Sequence, residues 1–147
     1  SNVLIFDLFT LEYKNDFMAH QVGEKVVGAN AVRYSPDGNF LLTGGRDAHL
    51  NIWQVGNYEL VKLIPAHNWA IYDIVFSPDA NLFATASRDK TVKIWDAKTY
   101  QLLHRITKEN NEAHTHSVNK LLWSTYNNYL VSVGDDRVVM VREINRN

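Results

Sequence analysis

The 147-residue chain contains no cysteine, which excludes disulfides, thiolate nucleophiles and zinc sites built on sulfur. That absence fits a reducing compartment, and a cytoplasmic location is the expectation. No apolar run approaches the roughly 18 residues needed to cross a bilayer. The opening SNVLIFDLFTLEYKND also lacks a basic segment followed by an apolar one, so neither a membrane span nor a secretory leader is expected. Nor is there an excess of one charge sign. Fifteen Lys and Arg against sixteen Asp and Glu leave a net charge of -1, which gives no long-range attraction to phosphate backbones and makes nucleic acid a poor partner. What is present is 46% hydrophobic, 12% aromatic and 21% charged, the composition of one folded domain.

Self-similarity organises that domain. AVRYSPDGNFLLTGGRDAHLNIWQ (31 to 54) aligns with DIVFSPDANLFATASRDKTVKIWD (73 to 96), and more weakly with KLLWSTYNNYLVSVGDDRVVMVRE (120 to 143). Ser35, Ser77 and Ser124 share one place, and Asp47, Asp89 and Asp136 another, at successive spacings of 42 and 47 residues. The extra five residues fall in the polar stretch Lys108 to Ala113. Ile5-Phe6-Asp7 repeats Ile52-Trp53-Gln54 and Ile94-Trp95-Asp96, so a partial copy opens the chain.

Within a unit the apolar runs are four to six residues long, rich in β-branched and aromatic types and broken by turn clusters. The second unit predicts strands at Ile71 to Phe76, Leu82 to Ala86, Val92 to Trp95 and Gln101 to Ile106. Its first turn, Ser77-Pro78-Asp79-Ala80, has Ala80 where the sister turn has Gly38; a positive φ there costs an alanine about 1 kcal/mol. Four antiparallel strands recurring at this period form a small sheet that shelters neither face alone, so it must stack on its neighbours.

These features resemble the WD40 β-propeller family. The second unit carries the resemblance most fully, in Ala66-His67, Phe76-Ser77-Pro78-Asp79, Thr85, Asp89 and Ile94-Trp95-Asp96. The resemblance implies an all-β fold of four-stranded antiparallel blades, about half of a seven-bladed ring. It also implies a buried hydrogen-bonded set of His67, Thr85, Asp89 and Trp95. The corresponding residues are Thr43, Asp47 and Trp53 in the first unit, with Lys25 at the His position, and His114, Ser132 and Asp136 in the third, with Arg142 at the Trp position. On that alignment the set is complete once, and the flanking blades are expected to be less rigid. The expected boundaries are 1-18 for the last two strands of a blade, 19-64 and 65-106 for whole blades, and 107-147 for the first three strands of another.

His67, Thr85 and Asp89 mimic a hydroxyl, histidine and carboxylate triad, but repetition of the same types in neighbouring units marks a scaffold device. His114 and His116 lie two apart without a further ligand at recognisable spacing. No catalytic residue, metal site or cofactor is expected, and the sequence has no phosphate-binding loop, nucleophile elbow or His-Glu-x-x-His. The run from Thr107 to His114 reads as a solvated connection. Tyr34, Phe76 and Trp123 share the end of the first strand and are expected to pack between blades.

In WD40-like propellers the residue before the turn Asp and the residues after the His face one rim and often contact partners. The matching positions are Arg46, Arg88 and Asp135, with Asn68, Trp69 and His116 after the histidines. Trp69 should lie close to Arg88; the alternative is that Trp69 packs under a neighbouring blade. The resemblance thus implies a non-enzymatic scaffold binding proteins or peptides. An enzyme with its site at the central opening is the alternative, and Asp73 is the acid within the inner-strand segments. Because the first and last copies are partial, both ends should present open strand edges, for a missing part of the ring or another chain to complete.

Overall fold

A computed structural model describes residues 2–111 and 113–144; Glu112 of the polar connection and the extreme terminal residues of the expected first and last units lie outside the described residues. Strands β1 (Asn2–Phe6) and β2 (Tyr13–Met18) pair antiparallel, and β3 (Gln21–Val22) and β4 (Lys25–Val26) form a small hairpin. A four-stranded sheet follows, made of β5 (Ala29–Tyr34), β6 (Phe40–Gly45), β7 (His49–Gln54) and β8 (Leu60–Pro65). The next four-stranded sheet contains β9 (Ile71–Phe76), β10 (Leu82–Ser87), β11 (Val92–Asp96) and β12 (Leu102–Ile106). One helical turn, α1 (Lys108–Asn111), precedes a three-stranded sheet of β13 (Val118–Trp123), β14 (Tyr129–Gly134) and β15 (Val139–Glu143).

Each larger sheet is an antiparallel meander in which successive strands are neighbours. The first strands, β5, β9 and β13, lie side by side, which makes them the inner strands of a stack. Burial follows from that position. β10, with sequence LFATAS, is buried at all six positions, because a central strand between two sheets has no solvent face and can be continuously apolar. β12, on the outside, exposes its first four residues.

The cores therefore lie between consecutive sheets. Leu42, Leu50 and Ile52 of one sheet pack with Ile71, Ile74 and Phe83 of the next. Val75, Ala84 and Ile94 in turn pack with Val118, Leu121 and Leu130. Phe83 is fully buried and stacks on Trp95 at 6.0 Å between ring centroids, where its burial contributes about 2–3 kcal/mol. On the other side Phe17 of β2 lies 4.5 Å from Trp53.

The Ser-Pro-Asp turns are closed by their own side chains. Ser35 Oγ donates to Asp37 (2.5 Å) and accepts from Phe40 N–H (2.9 Å); Ser77 does the same with Asp79 (2.6 Å) and Leu82 (2.9 Å). Gly38 has φ +74° and Ala80 φ +59°, so the alanine adopts the left-handed conformation.

Three features depart from the reading of the sequence. The connection around Lys108 forms one helical turn, and the β3–β4 hairpin stands where no strand was expected. Tyr34 does not pack between sheets as Trp123 does: it is 48% exposed, with its hydroxyl 3.4 Å from that of Tyr58. The physical reason lies in the preceding sheet, where Val3 and Phe17 cover Leu41 and Trp53 rather than the end of β5.

Candidate functional site

At the end of the strands where β6 turns into β7, β10 into β11 and β14 into β15, a hydrogen-bonded group recurs. In the second four-stranded sheet, Trp95 Nε1–H donates to Thr85 Oγ1 (3.0 Å), which lies 2.8 Å from His67 Nε2. His67 Nδ1 is 3.0 Å from Asp89 Oδ2. Chemistry sets the direction of the chain. Trp can only donate and an ionised Asp can only accept, so the Thr hydroxyl donates to Nε2 and the imidazole carries its proton on Nδ1. Asp89 also accepts from Asn68 N–H, Thr91 N–H and the Thr91 hydroxyl. Thr85 is fully buried, so this hydroxyl is closed to any substrate.

The first sheet holds the same group, and its histidine is His20, not Lys25. His20 Nε2 lies 2.9 Å from Thr43 Oγ1, which accepts from Trp53 Nε1–H (3.0 Å), and Nδ1 lies 2.9 Å from Asp47. His67 and His114 each precede their inner strand by four residues, and the same count back from Ala29 lands on Lys25. The β3–β4 hairpin inserts five more residues and moves the histidine to position 20. The group is therefore complete twice, and the expectation of a less rigid first blade loses its basis. In the three-stranded sheet His114 joins Ser132 (2.9 Å) to Asp136 (2.9 Å), while Arg142 opposite Leu130 replaces the Trp and contacts Met140. An Ala-His pair recurring every 47 residues, Ala19-His20, Ala66-His67 and Ala113-His114, is the sequence signal that finds all three; Ala48-His49 is a fourth such pair, off that spacing.

Burial pushes the pKa of His20 and His67 below the ordinary imidazole value, against the opposing pull of Asp47 and Asp89. Burial of the Asp89 carboxyl works against its charge, but His67, Thr91 and Asn68 outweigh it and hold Asp89 below the usual carboxylate range. Both shifts act in one direction on stability. Below the unfolded imidazole value of about 6.5 the unfolded chain takes up protons that the folded histidines refuse. Below the unfolded carboxylate value it again binds more protons than folded Asp89. Unfolding free energy should therefore fall from pH 7 toward pH 5, by at most about 1.4 kcal/mol per pH unit for each histidine, and fall again below about pH 4. Urea titrations across this range check it, and a flat profile from pH 7 to 5 would contradict it.

The same end of the strands presents the exposed candidates. Arg46 N–H donates to Gly28 O, Arg88 N–H to Ala70 O and Asp135 N–H to Ser117 O (2.8, 2.9 and 3.0 Å), which fixes the three turn residues in one relation to their inner strands. Trp69 is 58% exposed, and the Arg88 guanidinium stands 5.2 Å from its ring centroid. Packing of Trp69 under a neighbouring sheet is thereby excluded. Arg46, Asn68 and His116 are also exposed; His116 contacts the Thr115 hydroxyl, and Asp135 accepts from Asn119.

Asp73 has a different place. It is buried, accepts from Leu121 N–H (2.9 Å) on the next inner strand, and lies 3.8 Å from Arg33 and 3.9 Å from Lys120. These contacts tie three inner strands together and leave the carboxylate no role as an open acid or base. At the opposite end of the strands a cleft of about 810 Å³ is lined by Phe40, Phe76 and Tyr100. Its acids Asp37 and Asp96 are engaged in closing their own turns.

The family description WD domain, G-beta repeat matches residues 12–54, 58–96 and 105–142. The chain belongs to the WD40 family. Among curated proteins similar to this WD40 chain, the general transcriptional corepressor TUP1 of Saccharomyces cerevisiae is 39% identical over 44 residues, or 30% of this chain and 6% of that protein. WD repeat domain-containing protein 83 of Danio rerio is 42% identical over 43 residues, 29% of this chain and 14% of that protein. The matched stretches thus span a small part of both relatives. The solved structures of U3-55K and of the RRP9 WD40 repeats each superpose with a TM-score of 0.75 at 23% identity, over 86% of this chain and 37% of theirs. At that identity they show the fold, an all-β propeller architecture, and nothing of the function. Among the described residues no helix is long and apolar enough to cross a membrane.

Proposed function

We propose that this WD40 chain serves as a non-enzymatic protein-interaction scaffold whose partner docks on the rim formed by Arg46, Arg88 and Trp69, with Asn68, Asp135 and His116 around them. The observation that carries this reading is the exposed Trp69 ring with the Arg88 guanidinium over it. Such a pair offers a rigid apolar plate and a planar donor fork, the two side-chain types most enriched where binding energy concentrates. The hydrogen-bonded groups beneath the rim support it, because they hold the turns that carry Arg46 and Arg88. Among the described residues β1 pairs only with β2 and β15 only with β14; strands from the rest of a ring, in the same protein or another chain, are proposed to cover those edges.

Affinity capture with the complete ring followed by mass spectrometry identifies the partner. R46A/R88A/W69A is then expected to weaken binding by about two orders of magnitude or more. Because these side chains are exposed, unfolding free energy should change by less than about 1 kcal/mol. Undiminished binding by the folded triple variant would remove the rim from the mechanism.

A further inference from the structure

Successive sheets carry charges in a fixed order along the rim. The residue before the turn Asp is Arg46 in the first four-stranded sheet, Arg88 in the second and Asp135 in the three-stranded sheet. All three are exposed, and each is tied through its own N–H to the chain entering an inner strand. Along the inner strands the rim is therefore plus, plus, minus.

None of these charges is neutralised from within. Among the described residues no carboxylate forms an ion pair with Arg46 or Arg88, and no cation forms one with Asp135. The turn acids Asp47, Asp89 and Asp136 lie underneath, with side chains only 5%, 4% and 6% exposed, and each is held by its histidine. Asp135 accepts from the Asn119 amide, a neutral partner that orients the carboxylate without cancelling it. The tip of the β3–β4 hairpin brings Glu24 with Lys25 beside it, so it adds no net sign. Lys90 and Arg137 share the left-handed turn position two residues further on, with φ of +72° and +63°. Lys90 lines the cleft at the end of the outer strand β12, so this second row stands on the outer side of the turns.

Three contacts bring the Arg46 and Arg88 positions onto one stretch of surface. The Arg46 stem lies over Gly28, where an added Cβ would come within 3.2 Å of its Cδ and 3.7 Å of Asn30 Oδ1. Asn30 Nδ2–H donates to Ile71 O (3.1 Å) at the start of the next inner strand. Arg88 N–H donates to Ala70 O, one residue before it, and Trp69 precedes Ala70 with the Arg88 guanidinium over its ring. Packed sheets lie about 10 Å apart and an extended chain advances about 3.3 Å per residue, so a segment crossing the sheets meets successive rim positions at about every third residue.

We propose, building on the rim reading, that the partner presents an extended acidic segment. Two carboxylates about three residues apart pair with Arg46 and Arg88, an apolar side chain beside the second lies on Trp69, and a lysine or arginine about three residues further meets Asp135. The planar guanidinium forks match carboxylates as two-pronged donors. A nucleic-acid strand fits this order poorly, because its unbroken row of phosphates runs over Asp135.

The blocked peptide Gly-Glu-Gly-Gly-Glu-Leu-Gly-Lys-Gly carries the order, and it is made in both chain directions. The amide and indole N–H spectrum of the ¹⁵N-labelled full chain is titrated with it, with the same peptides after Glu and Lys are exchanged, and with oligouridine. Saturable shifts of the Trp69 indole and of the Arg46, Arg88 and Asp135 amides are expected with the acidic order. Affinity should fall as salt rises from about 20 to about 300 mM, and the exchanged order should bind about tenfold more weakly or worse. R46E/R88E should reverse that preference by about tenfold; the comparison of peptides on the unaltered chain stands whether or not this variant folds. Equal affinity for the two charge orders, saturable shifts with neither, or tighter binding of oligouridine overturns the acidic assignment. The rim has its own test in R46A/R88A/W69A, so a captured partner that needs those residues keeps the rim even when the acidic order fails.

Discussion

Thr85→Val should lower the unfolding free energy of the chain by about 2–5 kcal/mol. Valine reproduces the outline of threonine without its oxygen, so the β10 core stays filled. Lost are two hydrogen bonds, one from Trp95 Nε1–H and one to His67 Nε2. Both partners are buried, and each group left unpaired in a dry interior costs about 1–3 kcal/mol. Thr85→Ser separates this from packing, because serine keeps the oxygen and removes one methyl, at about 1 kcal/mol. Ser132 already fills this role in the three-stranded sheet. Equilibrium urea unfolding of the two variants gives the comparison, and equal losses would mean that packing, not the hydroxyl, holds the sheet. Thr43→Val should behave like Thr85→Val, because His20 and Trp53 complete the same group.

The fold was largely legible in the sequence because its determinants are local and repeated. Alternating short apolar runs, Ser-Pro-Asp turns and a period above 40 residues define a strand meander, and β9 spans Ile71–Phe76 as the pattern requires. The prediction for Ala80 rested on its alignment with Gly38, and both residues have positive φ. The β3–β4 hairpin was not legible. Its strands are two residues each, too short for any periodicity, and its insertion displaced the count that assigned Lys25. The error came from measuring distance along the chain where the structure conserves distance in space.

Site residues divide in the same way. Arg46, Arg88 and Asp135 could be placed because each precedes a repeated turn acid. The approach of Trp69 to Arg88 followed from the resemblance, which puts the residues after the His and the residue before the turn Asp on one rim, whereas the exposure of Trp69 depends on the neighbouring sheet and needed coordinates. Asp73 was recognised as the acid of the inner strands, but its partner is the main-chain N–H of Leu121, 48 positions away, and no side-chain pattern announces such a bond.

That bond carries the second large effect. Asp73→Ala places in β9 the residue that β5 has at the same register, Ala31, so the strand itself tolerates it. The loss falls between sheets. Leu121 N–H, on a buried residue, loses its acceptor, Ile74 N–H loses its bond to Asp73 Oδ1, and the Arg33 and Lys120 heads lose their counter-charge. A destabilisation of about 2–4 kcal/mol is expected. Most of it should come from the orphaned main chain, because the Arg33 and Lys120 side chains are 49% and 69% exposed, and such partly solvated pairs are worth about 1 kcal/mol or less. Asp73→Asn keeps an oxygen for Leu121 and should recover all but about 1 kcal/mol, with little dependence on salt. If Asp73→Asn is as damaging as Asp73→Ala, the charge and not the acceptor joins the inner strands. On the acceptor account the staple works at any ionic strength, and the relative positions of the turns bearing Arg88 and Asp135 stay fixed when salt screens the rim itself.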